Sequence, residues 1–395
     1  MRRLTVLLLV NDLRIGGAER QLAELARGLD QERFRVIVAT LYAGQPFEND
    51  VRDCAGVELR SLNQLGNRLG KFDFLTLFKL VRLLRREKVD IIQPFLTPAT
   101  AFGMLAAIIA RTPVKIVSER CGVRLNTHLG NKLYRFFEDR LTRFADAVVP
   151  HSEAGRRYVR SRGIASEKVR VIYNGVAPER VNTTLAERQA IRAEYGVLDE
   201  SWLIGIAASL TPANDHASFL QAASIVRAEV PGTKFLLAGD GPLRAELMRR
   251  AAVLGLNGSV IFAGHQMRVA PYIGAMDVAV LSSCDHEGCS NFLLEAMGLG
   301  RSIVTTDAGG NEELFPSGEA GLIVPPSNPL ILAHAILEIM RHPDAAEQMQ
   351  RRSREIFRQR FTLATMIAEY EDLYADLWRA YEPEQPPAAE TERAA

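Results

Sequence analysis

The sequence predicts an α/β protein of two Rossmann-like domains, each a parallel sheet covered by helices on both faces. Three observations predict it. The chain has 395 residues, too many for one ordinary core and enough for two domains that each bury most of their apolar surface. Short continuous apolar runs alternate with amphipathic stretches of helical spacing, as expected of strands buried on both faces between crossover helices. That alternation stops at Asn174-Gly175 and starts again at Leu203.

In the first half the expected strands are Leu4–Val10, Arg35–Leu41, Val89–Phe95, Val114–Ser118, Asp146–Val149 and Val169–Tyr173, with helices at Ala18–Leu29, Phe74–Arg86 and Ala99–Arg111 between them. Asn174-Gly175 is read as a turn. A polar helix near Leu185–Tyr195 follows, and the second set of strands is Leu203–Ala208, Lys234–Ala238, Val260–Ala263, Asp277–Leu281, Ile303–Thr306 and Leu322–Val324. The expected division is a domain over 1–180, a second over 181–360 and a last helix over 361–381. Residues 382–395, rich in Pro and Glu, are expected to form a disordered tail.

Apolar residues make up 47% and charged residues 24%, a balance that excludes a fibrous, disordered or membrane-spanning chain. The opening apolar run is seven residues long and Ala101–Ala110 is ten. Neither spans a bilayer, and no signal peptide is expected. Cys54, Cys121, Cys284 and Cys289 show no disulfide framework and no paired metal spacing, which suits a reducing compartment and makes the cytoplasm the expected location. Net charge is +1, yet residues 1–180 carry 31 Lys and Arg against 19 Asp and Glu, while residues 181–395 carry 17 against 28. The basic half suits an anionic partner such as a lipid headgroup, a phosphorylated acceptor or nucleic acid; a scattered basic surface without function fits as well.

Residues 277–298, DVAVLSSCDHEGCSNFLLEAMG, carry the most chemistry. A strand ends in a short loop and a helix starts at about Ser290 or Asn291. Glu287 in the loop and Glu295 in the helix bracket that start, so both carboxylates can border a cleft into which free helix amides point at an anion. One carboxylate can accept hydrogen bonds from sugar hydroxyls and the other from a ribose diol. The plainer alternative makes Ser290 an N-cap and Glu295 a solvated helix residue. Gly16-Gly17 and Gly239-x-Gly241 follow strands, where glycine lets backbone amides approach a pyrophosphate or only closes a tight turn.

The stretch from Glu287 to Glu295 with seven residues between them resembles the signature of glycosyltransferase family 4, the retaining enzymes of GT-B fold. Gly16-Gly17-Ala18-Glu19, Tyr173-Asn174-Gly175-Val176, Ala238-Gly239-Asp240-Gly241-Pro242-Leu243, Thr306-Asp307-Ala308-Gly309-Gly310-Asn311-Glu312 and Gly321-Leu322-Ile323-Val324-Pro325-Pro326 resemble further motifs of that family in the same order. The resemblance implies a GT-B fold whose last helix crosses back to the N-terminal domain. It implies a nucleoside-diphosphate sugar as co-substrate, no cofactor and no metal, and a glycan or lipid-linked acceptor. Nucleic acid is not an expected partner; an anionic membrane surface on the inner face of the cell membrane is one. The donor residues so implied are Gly16, Gly17, Ser209, Asn214, Gly239, Gly241, Glu287, Gly288, Cys289, Ser290, Asn291 and Glu295. Glu287 and Arg120 are the candidate catalytic residues.

The chain departs from the family where an Arg and a Lys usually grip the diphosphate, because Ser209 and Asn214 stand there. Losing two hydrogen bonds to a charged group costs ~3–6 kcal/mol, or roughly 100- to 10,000-fold. Arg244, Arg268 and Arg301 are candidate substitutes. The family's N-terminal-domain His is also absent, and Glu119, Arg120 and His128 occupy that region. Ser118-Glu119-Arg120 resembles a branch without the His. His151, beside Pro150, reads as a structural histidine, and Glu312 as either a helix-start residue or a ligand. A weakened or inactive sugar-nucleotide-binding relative and a nucleotide-sugar epimerase stay open as alternatives to a transferase of envelope polysaccharide synthesis. A dinucleotide-dependent dehydrogenase fits poorly, since no G-x-G-x-x-G follows the first strand.

Overall fold

The computed structural model describes residues 2–14, 16–43, 47–63, 74–120, 129–285, 288–316 and 318–381. The tail 382–395 and two site candidates, Glu287 and His128, lie outside the described residues.

The first sheet has strands β1 (Leu4–Val10), β2 (Phe34–Tyr42), β3 (Val57–Asn63), β4 (Ile91–Pro94), β5 (Val114–Glu119) and β6 (Ala147–Pro150). Their order is β3-β2-β1-β4-β5-β6, all parallel. The second has β7 (Leu203–Ile206), β8 (Lys234–Ala238), β9 (Val260–Gly264), β10 (Val278–Leu281), β11 (Ser302–Thr306) and β12 (Leu322–Val324), ordered β12-β11-β10-β7-β8-β9 and also parallel. Central strands such as LTVLLLV of β1 and VAVL of β10 are buried throughout. This is why their sequences are apolar at every position but Thr5. The strand order reverses between β1 and β4 and again between β7 and β10. In open parallel sheets, ligands bind beyond the carboxyl ends of the strands at that reversal.

Two expectations need correction. The strand β3, VELRSLN, was not expected, because it is a half-exposed edge strand whose polar residues leave no apolar run. Val169–Tyr173, expected as a strand, is extended chain that meets β6 through only two backbone bonds, from Arg170 to Val148 (3.0 Å) and from Ile172 to Pro150 (3.1 Å).

The chain passes between the sheets at Asn174–Asn182 and returns at Phe361–Leu363. The two passages lie side by side: Val176 donates to the Phe361 carbonyl at 3.0 Å and accepts from Leu363 at 3.0 Å. Gly175 is there for closeness and not for a turn. Its φ is not positive, and a Cβ on it would lie 2.8 Å from Leu363 Cα. The last helix, Leu363–Tyr381, then lies on the first sheet and buries Met366, Ile367, Tyr370, Leu373 and Tyr374 in that sheet's core. Tyr374 donates its hydroxyl hydrogen to Gln93 of β4, and its ring meets Phe34 edge-on at 5.8 Å.

The helix Phe74–Arg86 buries Leu80, Val81 and Leu84 against the other face of the first sheet. Phe78, however, is 63% exposed, on a helix that also exposes Arg82, Arg85 and Arg86. Among the described residues, no helix is long and apolar enough to cross a membrane.

Candidate functional site

A cavity of about 450 Å³ opens between the carboxyl ends of the two sheets. Gly16, Gly17, Arg20, Arg120 and His151 line it from the first sheet's side, and Asn174 and Arg180 from the connection. From the second sheet's side come Ser209, Asn214, Gly239, Gly288, Cys289, Ser290, Asn291 and Glu295. The fold thus brings together all the described donor-binding and catalytic candidates except Gly241, which does not line the cavity. A Cβ on Gly241 would lie 2.6 Å from the Leu210 carbonyl oxygen, and one on Gly239 would collide with the Ala208 carbonyl. Both glycines are therefore explained by close passage of two backbone segments.

Two helix N-termini meet here. Gly16 caps the helix Gly17–Gly28 and Ser290 the helix Asn291–Gly298, and neither cap residue's own side chain bonds the orphan amides; at the first helix the buried Glu19 carboxylate turns back beside Gly16 and takes its own backbone N–H. A Cβ on Gly17 would come within 3.3 Å of Asn291 Nδ2. The two positive dipole ends therefore face one another across the cleft. The Asn291 side chain is fixed from both sides: Asn174 Nδ2 donates to its Oδ1 at 3.0 Å and Gln21 Nε2 at 3.3 Å. Asn174 Nδ2 also donates to the Cys289 carbonyl at 2.8 Å.

Arg120 follows β5. It donates to Asn174 Oδ1 and to Tyr370 Oη at 3.0 Å, with its guanidinium over the Phe95 ring. The cation therefore faces the cavity while anchored to the connection and the last helix. His151 places Nδ1 3.1 Å from the Glu119 carbonyl, which sets the proton on that nitrogen. Burial, with the Arg120 charge, pushes its pKa down to about 3, so the ring is neutral. A Cβ on Gly288 would collide with His151 Nε2, so only glycine lets the two loops touch.

Ser209 and Asn214 bring no charge to the cavity. Asn214 Nδ2 donates to the Ser209 carbonyl at 2.8 Å, and Ser283 Oγ to Asn214 Oδ1 at 3.3 Å. The suggested substitutes are occupied elsewhere: Arg301 with the Met276 carbonyl at 3.1 Å, Arg268 with Glu187, and Arg244 over the Phe262 ring. None of the three lines the cavity. Its arginines are instead Arg20, Arg120 and Arg180.

Glu295 is buried, and both arginines from the far side reach its Oε1: Arg180 Nε at 2.6 Å and Arg20 Nη1 at 3.3 Å. Sequence reasoning missed this pair. Arg20 sits one residue beyond the GGAE run, but nothing in Pro178-Glu179-Arg180 signals a place in the cleft. Glu312 is exposed, and its neighbour Glu313 is the residue that acts across the domains. Glu313 accepts from the backbone N–H groups of Glu153 and Ala154 at the start of the helix Glu153–Ser161.

A family model described as Glycosyltransferase Family 4 matches residues 15–180, and one described as Glycosyl transferases group 1 matches residues 202–342. Among curated proteins, the Vi polysaccharide biosynthesis protein VipC/TviE of Salmonella typhi is 29% identical over 62% of this chain and 43% of its own length. The lipopolysaccharide core biosynthesis glycosyltransferase LpsE of Rhizobium meliloti is 26% identical over 91% of this chain and 96% of its own. The chain spans less than two thirds of the length of the first relatives it matches, 64% in one case and 43% in the Vi protein. Anabaena HepE, solved with UDP-glucose, superposes with a TM-score of 0.83 at 22% identity, over 95% of this chain and all of the other. The paired sheets, the cleft at their strand-order reversals and the two family matches agree: the chain belongs to the GT-B glycosyltransferases of family 4, the group 1 glycosyl transferases.

Proposed function

We propose that the chain transfers a sugar, with retention at the anomeric carbon, from a nucleoside-diphosphate sugar to a glycan or glycolipid acceptor of bacterial envelope polysaccharide. The observation that carries this reading is the meeting of two helix N-termini and three arginines in one cavity. The diphosphate gains negative charge as the bond to the sugar breaks, and amides and guanidiniums aimed at it lower the barrier without reorganising. The names of LpsE and of the Vi protein support a polysaccharide or lipopolysaccharide product. The UDP-glucose bound by HepE makes uridine nucleotides the first probes.

The test is product analysis with labelled UDP-, GDP- and ADP-sugars and an extract of lipid-linked saccharides. Label transferred to the lipid fraction supports the reading; isomerised donor without transfer would indicate an epimerase instead. A second reading, a disabled relative that binds without transfer, is favoured by the neutral Ser209 and Asn214.

The reading also includes contact with the inner face of the cell membrane, at the helix Phe74–Arg86. Phe78 beside Arg82 and Arg86 offers apolar insertion together with attraction to anionic headgroups. Sedimentation with phosphatidylglycerol vesicles, reduced by salt and by Phe78→Glu, is the expected result. Sedimentation unchanged by Phe78→Glu would remove this helix from the reading.

A further inference from the structure

Inside the cleft one carboxylate faces two guanidiniums. Arg180 and Arg20 both address Glu295 Oε1, and no hydrogen bond from the described residues reaches Oε2. The side chains are 4% (Glu295), 17% (Arg180) and 24% (Arg20) exposed. Two positive charges against one negative leave a surplus of one, in a place where burial makes an unpaired cation costly. Burial and the Arg180 charge push the Arg20 pKa down, yet a guanidinium keeps its proton.

A further carboxylate, Glu24, interacts with both arginines, but burial pushes its pKa up to about 7, so it offsets the surplus only partly at neutral pH. The cluster therefore presents an unmet demand for an anion to a cavity that also holds two helix N-termini and Arg120, and whose one further acidic lining residue among the described residues is Asp240, where the Oδ1 accepts the Gly241 N–H at 2.7 Å. Across that cavity stand Ser209 and Asn214, both neutral, with the Asn214 amide used to hold its own turn.

We propose that Arg20 and Arg180 bind the diphosphate of the donor, replacing the positive charge that Ser209 and Asn214 do not bring. Glu295 holds both guanidiniums through Oε1 and keeps Oε2 for a donor hydroxyl. This proposal rests on the donor reading above. It has a structural consequence: Arg20 belongs to the first sheet's first helix, Arg180 to the connection and Glu295 to a helix of the second sheet. A diphosphate held by these arginines therefore ties the two domains and their hinge together.

The test compares a nucleoside diphosphate with its nucleoside, using the full chain. UDP, GDP and ADP are titrated first into the native chain by calorimetry. The nucleotide that binds best, and its nucleoside followed by NMR, are then titrated into Arg20→Gln, Arg180→Gln and Arg180→Lys, with melting curves to establish that each variant is folded. Each Gln variant is expected to weaken the diphosphate about tenfold to a hundredfold while leaving the nucleoside within about twofold, and Arg180→Lys to recover part of the loss. Equal losses for both ligands would overturn the assignment, because the arginines would then serve only to hold Glu295. Unchanged binding of both would overturn it as well, by placing the arginines outside the donor site. A native chain that binds none of the three nucleotides would overturn the donor reading, and this proposal with it.

Discussion

Glu313 Oε1 accepts the backbone N–H of Ala154 at 2.6 Å, so a residue of the second domain caps a helix of the first. Its Oε2 takes the Glu153 N–H at 2.5 Å and the Tyr173 hydroxyl at 3.2 Å. Ser152, the helix's own N-cap, satisfies Gly155 and leaves these two amides to the carboxylate. A charged cap on a helix N-terminus contributes through both hydrogen bonds and dipole. Glu313→Ala is expected to destabilise the chain by ~1–2 kcal/mol in urea denaturation. The variant should also be more open in solution, with a larger radius of gyration by X-ray scattering. A variant as stable and as compact as the native chain would show that the cap contributes nothing to closure.

The hinge gives a second expectation. Gly175 lies so close to the returning chain that a Cβ would stand 2.8 Å from both Leu363 Cα and Met366 Cβ. Gly175→Ala must push the two passages apart, at a cost of ~1–3 kcal/mol. The Val176 bonds to Phe361 and Leu363 are the first to lengthen. Faster amide exchange at Val176 and Leu363, together with a lowered melting temperature, would bear this out. Native exchange rates in the variant would contradict it.

The acidity of Glu24 makes donor binding depend on pH. Burial raises its pKa to about 7, opposed by Arg20, Arg180 and Arg27 and assisted by Glu295. Arg27 is itself paired with Glu179 at 2.9 Å. Below that pKa Glu24 is neutral and the arginines keep their surplus; above it, a second carboxylate shares them. Binding of a sugar nucleotide, whose own charge is constant over this range, is expected to weaken between pH 6 and pH 8. Glu24→Gln should abolish the trend. The same raised pKa means that Glu24 lowers stability as pH rises from its ordinary carboxylate range through about 7, so the Gln variant should gain most at pH 8. A native chain whose affinity is flat over that range would contradict the expectation.

What the sequence made legible follows the physics of burial. Strands covered on both faces read as nearly continuous apolar runs, so LTVLLLV and VAVL announce themselves, and their alternation with helices fixes the parallel arrangement. The edge strand Val57–Asn63 has no such obligation and went unread. Loops such as Gly16-Gly17 and Ser290-Asn291 were legible because a helix start after a strand is a local pattern. The pairing of Glu295 with Arg180 and Arg20 was not, since the partners are 115 and 275 residues away and only the closed fold makes them neighbours. Gly175 shows the same limit. Its neighbour Asn174 suggested a turn, whereas the real constraint is a chain segment that returns nearly two hundred residues later.

The central claim is a working donor site in the cleft despite the neutral Ser209 and Asn214. Calorimetric titration of UDP-, GDP- and ADP-sugars into the native chain, into Glu295→Ala and into the double variant Ser209→Arg/Asn214→Lys tests it most directly. The expected result is micromolar binding of one donor by the native chain, lost in Glu295→Ala and improved only modestly in the double variant. No binding by the native chain, with binding gained in the double variant, would contradict the account and identify a relative whose donor site has been disabled.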